Sequence, residues 1–151
     1  MKSNNYIDFV DVWNLIEATS TEFVYDRLAK IGLNRGQPKM LRFLGENDGC
    51  RQKDIADRFF LRAASVSGVL NTLEKQGLIE RRQNPRSRRE TLIYLTESGK
   101  AKLDQVQEFY DELDGQWFED FSKDEYDELM RLLKKLQKSL EQQNLREKKE
   151  K

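Results

Sequence analysis

The sequence predicts a mainly α protein with a small β wing: a winged helix-turn-helix flanked by N- and C-terminal dimerisation helices. Three observations carry this prediction. Two short helical patterns, opening at Gln52 and Ala63, follow one another with only a brief turn between them. Two strand-like runs then flank an arginine-rich turn, Asn84-Pro85-Arg86-Ser87-Arg88-Arg89. Long amphipathic stretches lie on either side of this unit.

The elements can be taken in order. From Tyr6 to Ile31 apolar residues recur at helical spacing, as Phe9, Val12/Trp13, Ile16, Phe23/Val24, Leu28 and Ile31. Gly32 ends that helix. Asn34 is the expected cap of a second helix through Met40, Leu41, Phe43 and Leu44, and Pro38 fits only in its first turn. Asn47-Asp48-Gly49 reads as a turn, and Cys50 as part of a short strand able to pair with the wing.

The third helix covers Gln52 to Phe59, with Ile55, Ala56 and Phe59 inward. The fourth covers Ala63 to Gln76, with Val66, Val69/Leu70 and Leu73 inward and Gly77 as its stop. Strands Leu78–Gln83 and Glu90–Leu95 follow, joined by the 84–89 turn. Thr96 is the expected cap of a fifth helix through Leu103, Val106, Phe109/Tyr110, Leu113 and Trp117/Phe118. Ser122-Lys123-Asp124-Glu125 is a capping box for the sixth, with Phe121 as its staple and Leu129, Leu132/Leu133, Leu136 and Leu140 on one side. Residues 144–151 are expected to form a disordered charged tail.

The expected organisation is a dimerisation helix over 1–33, a reading unit over 34–99, dimerisation helices over 100–143, and the tail. The outer helices carry more apolar face than one compact unit of this size needs. Interlocking of two copies into a homodimer accounts for the excess; closure of a monomeric bundle is the plainer reading.

Composition narrows the function. Charged residues make up 36% of the 151-residue chain, and the longest apolar runs are far below a membrane span. Met1-Lys2-Ser3-Asn4-Asn5 lacks a signal peptide's apolar core, and a single cysteine points to a reducing compartment. A cytoplasmic location is expected. The formal net charge of zero conceals an asymmetry: residues 51–102 hold 12 Lys/Arg against 6 Asp/Glu, and residues 103–128 hold 1 against 11. A local basic face is what phosphate contact needs, so neutrality overall does not exclude nucleic acid. The acidic stretch reads first as a solvated helical surface.

Opposite its core positions, the Ala63–Gln76 helix presents Ala64, Ser65, Ser67, Gly68 and Asn71, with Thr72 alongside. Small hydroxyl and amide side chains suit close approach to base edges of double-stranded DNA, and Arg62 can reach phosphate. Such residues are also ordinary helix-surface filler; the wing that follows strengthens the DNA reading. Arg86, Arg88 and Arg89 cluster at its tip, with Arg81 and Arg82 on the strand beneath. Arginine enters narrow, electronegative minor grooves readily, which favours A·T-rich flanks.

From Ile31 to Gly99 the chain resembles the MarR/SlyA family of bacterial transcriptional regulators. The resemblance rests on Gly32-Leu33-Asn34 with Gln37, Asp54-Ile55-Ala56, Leu73-Glu74-Lys75-Gln76-Gly77-Leu78-Ile79-Glu80-Arg81, Arg89, and Leu95-Thr96-Glu97-Ser98-Gly99. It implies a homodimer with a winged helix in each subunit, and a repressor of nearby genes that a small-molecule effector relieves. Two positions depart from the family pattern. Ser87 stands where an Asp usually buttresses the wing arginine, and Gly68 stands where an Arg is frequent.

The chain has no histidine, which removes His-based general-base catalysis and the usual zinc-sensing ligands. No nucleophile, phosphate loop or convergent acid pair accompanies its carboxylates, so no enzyme, cofactor or metal is expected. Cys50 beside Arg51 has the makings of a redox switch, but its strand position favours an inert, buried thiol. Trp13, Phe43, Phe109 and Tyr110 could line an effector pocket or could be plain core. The competing function is a winged-helix protein-interaction module without specific DNA binding, a reading that Gly68 and Ser87 keep open.

Overall fold

The computed structural model describes the backbone of residues 4–149 and the side chains of residues 8–146. Met1-Lys2-Ser3, and Glu150-Lys151 of the expected tail, lie outside the described residues. The elements run α1 (Asn4–Lys30), α2 (Gln37–Glu46), β1 (Cys50–Arg51), α3 (Gln52–Phe59), α4 (Ala63–Lys75), β2 (Ile79–Asn84), β3 (Ser87–Leu95), α5 (Glu97–Trp117) and α6 (Lys123–Lys149). The six helices and three-stranded sheet match the predicted mainly α class with a small wing. Two compact units divide the chain, residues 1–108 and 109–151, with the boundary inside α5. The expected boundaries at 33/34 and 99/100 do not coincide with this division.

In the first unit the helix stops follow one design. Gly32 and Gly77 adopt positive φ of 72° and 70°. After each, the chain closes a paired-bond cap. Leu33 N–H donates to Leu28 O (2.9 Å) and Gly32 N–H to Ala29 O (3.1 Å) at the end of α1. Leu78 N–H donates to Leu73 O and Gly77 N–H to Glu74 O, both at 2.9 Å, after α4. The leucines flanking each cap, Leu28 with Leu33 and Leu73 with Leu78, are buried, as this motif requires.

α2 begins differently from expectation. Asn34 is not its cap: Gly36 holds that position with no side-chain cap bond, and Pro38 falls in the first turn. The Gln37 side chain reaches back instead, its Oε1 accepting Asn34 N–H at 2.7 Å. A glutamine inside the turn reaches the orphan amide from the helix side, which leaves the Asn34 side chain free of that task. At α5 the expected cap is present, with Thr96 Oγ1 accepting Gly99 N–H at 3.0 Å.

The sheet has order β1-β3-β2 and is antiparallel throughout. Cys50 pairs with Ile93, and β2 pairs with β3 from Ile79↔Leu95 to Gln83↔Thr91. The unit's core is formed by Leu28, Met40, Leu41, Leu44, Ile55, Val66, Leu70, Leu73, Ile79 and Ile93, each at most 2% exposed. The helical residues among these are the apolar positions that helical periodicity marks in the sequence; Ile79 and Ile93 come from the sheet. The N-terminal half of α1 lies outside this core. From Asp8 to Thr19 every residue is exposed, including Phe9, Val12, Trp13 and Ile16.

In the second unit Phe109 and Leu113 are buried. The capping box forms, with Ser122 N–H donating to Glu125 Oε2 (2.9 Å) and Glu125 N–H to Ser122 Oγ (3.3 Å). The aromatic contact at this corner centres on Phe118, which meets Phe121 and Tyr126 edge-on at 5.3 and 4.9 Å between centroids. α6 then continues to Lys149, through most of the stretch expected to be a disordered tail. Residues 141–149 contain neither Gly nor Pro and are dominated by Glu, Gln, Leu, Arg and Lys, all strong helix formers. Along α6 Leu132, Leu133, Leu140 and Leu145 are exposed. No helix among the described residues is long and apolar enough to cross a membrane.

Candidate nucleic-acid interface

The candidate interface is built on α3, α4 and the wing. α3 starts on a charged clasp: Arg51 N–H and Nε both donate to Asp54 Oδ2, at 2.9 and 3.1 Å, and Arg51 Nη2 donates to Oδ1 at 2.7 Å. The Arg51 guanidinium holds the Asp54 carboxyl below the usual carboxylate range. α3 ends on Phe60 in the left-handed region, φ 53°, which costs a non-glycine residue about 1 kcal/mol. Leu61 N–H closes that turn on Ala56 O at 3.0 Å.

Gln52 then couples the two helices. Its Nε2 donates to Ser67 Oγ at 2.7 Å and lies 3.2 Å from Ala63 O. Ser67 is therefore half-buried between α3 and α4, and its predicted place on the outer face is corrected. Thr72 is half-buried as well, with its hydroxyl donating to Gly68 O at 3.1 Å. Ala64, Ser65, Gly68 and Asn71 are exposed, as the helical spacing predicts, and a Cβ placed on Gly68 would meet nothing within 4 Å. Arg62 is exposed at the N-cap of α4, and no side chain caps the first amides of that helix. A helix start of this kind suits an anion.

The wing is tighter than predicted. β2 extends to Asn84 and β3 begins at Ser87, so Pro85-Arg86 alone form the turn. The register jumps from Gln83↔Thr91 to Asn84↔Ser87, which leaves Arg88, Arg89 and Glu90 as an excursion of β3. Asn84 explains the difference. Its Oδ1 accepts Arg86 N–H at 3.0 Å and its Nδ2 donates to the Glu90 carboxylate. Gln83 Nε2 meanwhile donates to Arg88 O. Glu90 also pairs with Arg51 Nη1 at 3.4 Å, which ties the wing to the start of α3.

The five wing arginines divide into two groups. Arg81 is engaged by Glu74 and by Asn71 Oδ1, and Arg82 pairs with Glu80 while its guanidinium lies 4.5 Å from the Tyr94 ring centroid. Arg86, Arg88 and Arg89 are exposed and, like Arg62, form no ion pair among the described residues. Periodicity missed Gln52, Glu74, Asn84 and Glu90. The usable sequence signal was the opposite charge on Glu74 and Arg81 across a helix-to-strand turn.

The other predicted candidates lie elsewhere. Cys50 is half-buried, and burial followed by the Asp54 charge pushes its thiol up to about 11. Such a thiol is protonated and unreactive at neutral pH. In the first unit Trp13 is exposed and stacks on Phe9 (6.2 Å between centroids), while Phe43 meets Phe59 edge-on at 5.9 Å. In the second, Phe109 tilts against Tyr110 at 5.3 Å. A cavity of about 160 Å³ in the first unit is lined by Ser20, Thr21, Val24, Tyr25 and Arg35, none of them a predicted pocket residue.

Two helices set by a short turn, a following β hairpin and a basic hairpin tip define a winged helix-turn-helix protein. Residues 31–90 match the MarR family. The chain is 30% identical over 104 residues to the uncharacterized HTH-type transcriptional regulator YkoM of Bacillus subtilis (strain 168), covering 69% of this chain and 68% of that one. The chain belongs to the MarR family. Its fold is similar to that of the transcriptional regulator SlyA (TM-score 0.82, 22% identity, 90% of this chain and 96% of that chain). It is also similar to that in an S. aureus MepR–DNA complex (TM-score 0.77, 24% identity, 91% and 99%).

Proposed function

We propose that the protein is a transcriptional regulator that binds double-stranded DNA as a homodimer, acting as a ligand-relieved repressor at a pseudopalindromic operator in the cytoplasm. In this reading α4 enters the major groove and the wing reaches the adjoining minor groove. The observation that carries it is the division of the arginines. Those whose charge is spent inside the unit lie at the base of the wing, and those without an acidic partner lie at its tip and at the start of α4. Unpaired arginines held on a rigid hairpin fit phosphate and a narrow groove. MepR of S. aureus, similar in fold, is bound to DNA in its complex, which supports this use of the unit.

The exposed apolar residues of α1 and α6 support the dimer. Phe9, Val12, Trp13 and Ile16 on α1, and Leu132, Leu140 and Leu145 on α6, would otherwise stand in water. A two-fold dimer reads two half-sites about one or two helical turns apart. The effector belongs to the same reading, and the cavity lined by Arg35 is the first place to seek it.

A gel-shift series against the DNA upstream of the protein's own gene, at rising salt, tests the reading. A specific, salt-sensitive complex is expected; absence of any specific complex at every salt concentration sinks it and favours a protein-interaction module. Sedimentation at low concentration is expected to give a dimer, and a folded monomer would contradict the assembly.

A further inference from the structure

Four exposed positions of α4, Ala64, Gly68, Asn71 and Lys75, fall in one stripe at helical spacing. Ala64 and Gly68 carry no hydrogen-bonding side chain, so the middle of the stripe depends on Asn71. An asparagine ordinarily offers both an acceptor and a donor edge, and in that form it reads adenine through two hydrogen bonds.

Here the acceptor is engaged from β2. Arg81 Nη2, from β2, donates to Asn71 Oδ1 at 3.0 Å. The other terminal nitrogen of the same guanidinium, Nη1, pairs with the Glu74 carboxylate. Glu74 lies three residues after Asn71 on α4, so helix and strand together fix the arginine. The Arg81 side chain is only 24% exposed. A charged donor held in this way makes the stronger kind of hydrogen bond. With Oδ1 turned to Arg81, the carboxamide presents its NH₂ group outward.

We infer that Arg81 is a positioning residue for base recognition: it turns the Asn71 NH₂ group toward the DNA, which favours a major-groove edge made of acceptors alone over adenine, whose N7 acceptor stands beside an N6 donor. The matching edges are the ring nitrogen and carbonyl oxygen of guanine and the carbonyl oxygen of thymine. The inference rests on the proposed placement of α4 in the major groove. It also reassigns Arg81, which the sequence suggested as a direct DNA contact, to a role behind the contact surface.

The test is selection of bound duplexes from a randomised pool by the full-length protein, repeated for Asn71→Ala, Arg81→Gln and the double variant Glu74→Gln/Arg81→Gln. The double variant avoids leaving an unpaired carboxylate near the DNA, and thermal melts check that each variant folds. For the wild type, guanine or thymine is expected at one position of each half-site, and Asn71→Ala should lose the preference at that position alone. Both Arg81 variants should admit adenine there, with a gain of about tenfold relative to the wild type. Their other positions and their salt slope should be unchanged, because no phosphate contact is lost.

Adenine selected by the wild type would overturn the inference. So would Arg81 variants that bind every sequence more weakly, with a flatter salt slope and unchanged base preference; that result makes Arg81 a backbone contact. If the wild type enriches no sequence at all, the DNA-reading proposal itself fails, and the inference falls with it.

Discussion

Gln37 Nε2 donates to Gln76 Oε1 at 2.8 Å, and Gln76 Nε2 in turn donates to Gly32 O at 3.1 Å. Together with the Asn34 N–H bond to Gln37 Oε1, these contacts join the end of α1, the start of α2 and the end of α4. Gln37 is 1% exposed, and both ends of its carboxamide are satisfied. A buried amide in such a position is stabilising only while every partner is present.

Gln37→Leu should therefore destabilise the fold although leucine is the more apolar residue. The Asn34 amide and the Gln76 carboxamide would each lose a partner, at a combined cost of about 2 kcal/mol. Chemical denaturation is the measurement, with a lower midpoint at unchanged slope expected. A midpoint equal to or above the wild type would mean that water replaces these bonds freely.

The wing arginines give a prediction in a different observable. Arg88→Ala and Arg89→Ala should each weaken DNA binding across sequences and lower the slope of log affinity against log salt by about 0.9. Arg82, which already pairs with Glu80 and covers Tyr94, should affect the slope less. If Arg82→Ala flattens the salt dependence while both tip variants bind as the wild type does, the assignment of tip and base is reversed.

These cases also separate what was legible in the sequence from what was not. The helices, their glycine stops and the core positions follow from periodicity and cap chemistry, which act within a few residues. Ser67 shows the limit. Its spacing on α4 admits an outer-face reading, but Gln52, fifteen residues earlier, draws its hydroxyl inward. Asn84 shows a second. An arginine-rich six-residue turn looked sufficient to join the strands, yet two bonds from one asparagine tighten it to Pro85-Arg86 and displace Arg88 and Arg89 into β3. Residues 8–19 of α1 are the opposite case: their periodic apolar face was legible as more than one compact unit needs, and they are exposed in the single chain. Side-chain bonds between elements leave no periodic trace.

Gly99, on the first turn of α5, tests how closely that helix is seated on the sheet. A Cβ at this position would lie 1.9 Å from Leu78 O and 2.9 Å from Leu78 C, both backbone atoms that cannot swing aside. Leu78 O is moreover held by Thr96 N–H at 3.1 Å. Gly99→Ala should cost about 3 kcal/mol despite alanine's better helix propensity. A melting temperature equal to the wild type would show that α5 can move outward at no cost, and Gly115→Ala, where the added Cβ meets nothing within 4 Å, serves as the control.

The start of α3 makes the stability depend on acid. Asp54 is held below its ordinary value chiefly by the hydrogen bond from the Arg51 side chain, with the Arg51 N–H and the arginine's charge adding to it. A carboxyl depressed in the folded state contributes stability above its unfolded value, near pH 4, and loses that contribution as pH falls through the lower folded value. Asp54→Asn should therefore be less stable than the wild type at pH 7 by about 0.5 kcal/mol, the size expected for a partly exposed pair. The gap should narrow below pH 4 and close once Asp54 is protonated, because both proteins then present a neutral side chain to Arg51. Urea midpoints at a series of pH values between 7 and 2 measure this directly. A gap that stays constant down to pH 2 would mean that the aspartate acts through its shape and hydrogen bonds, and that its charge contributes nothing to holding Arg51 across α3 and the wing.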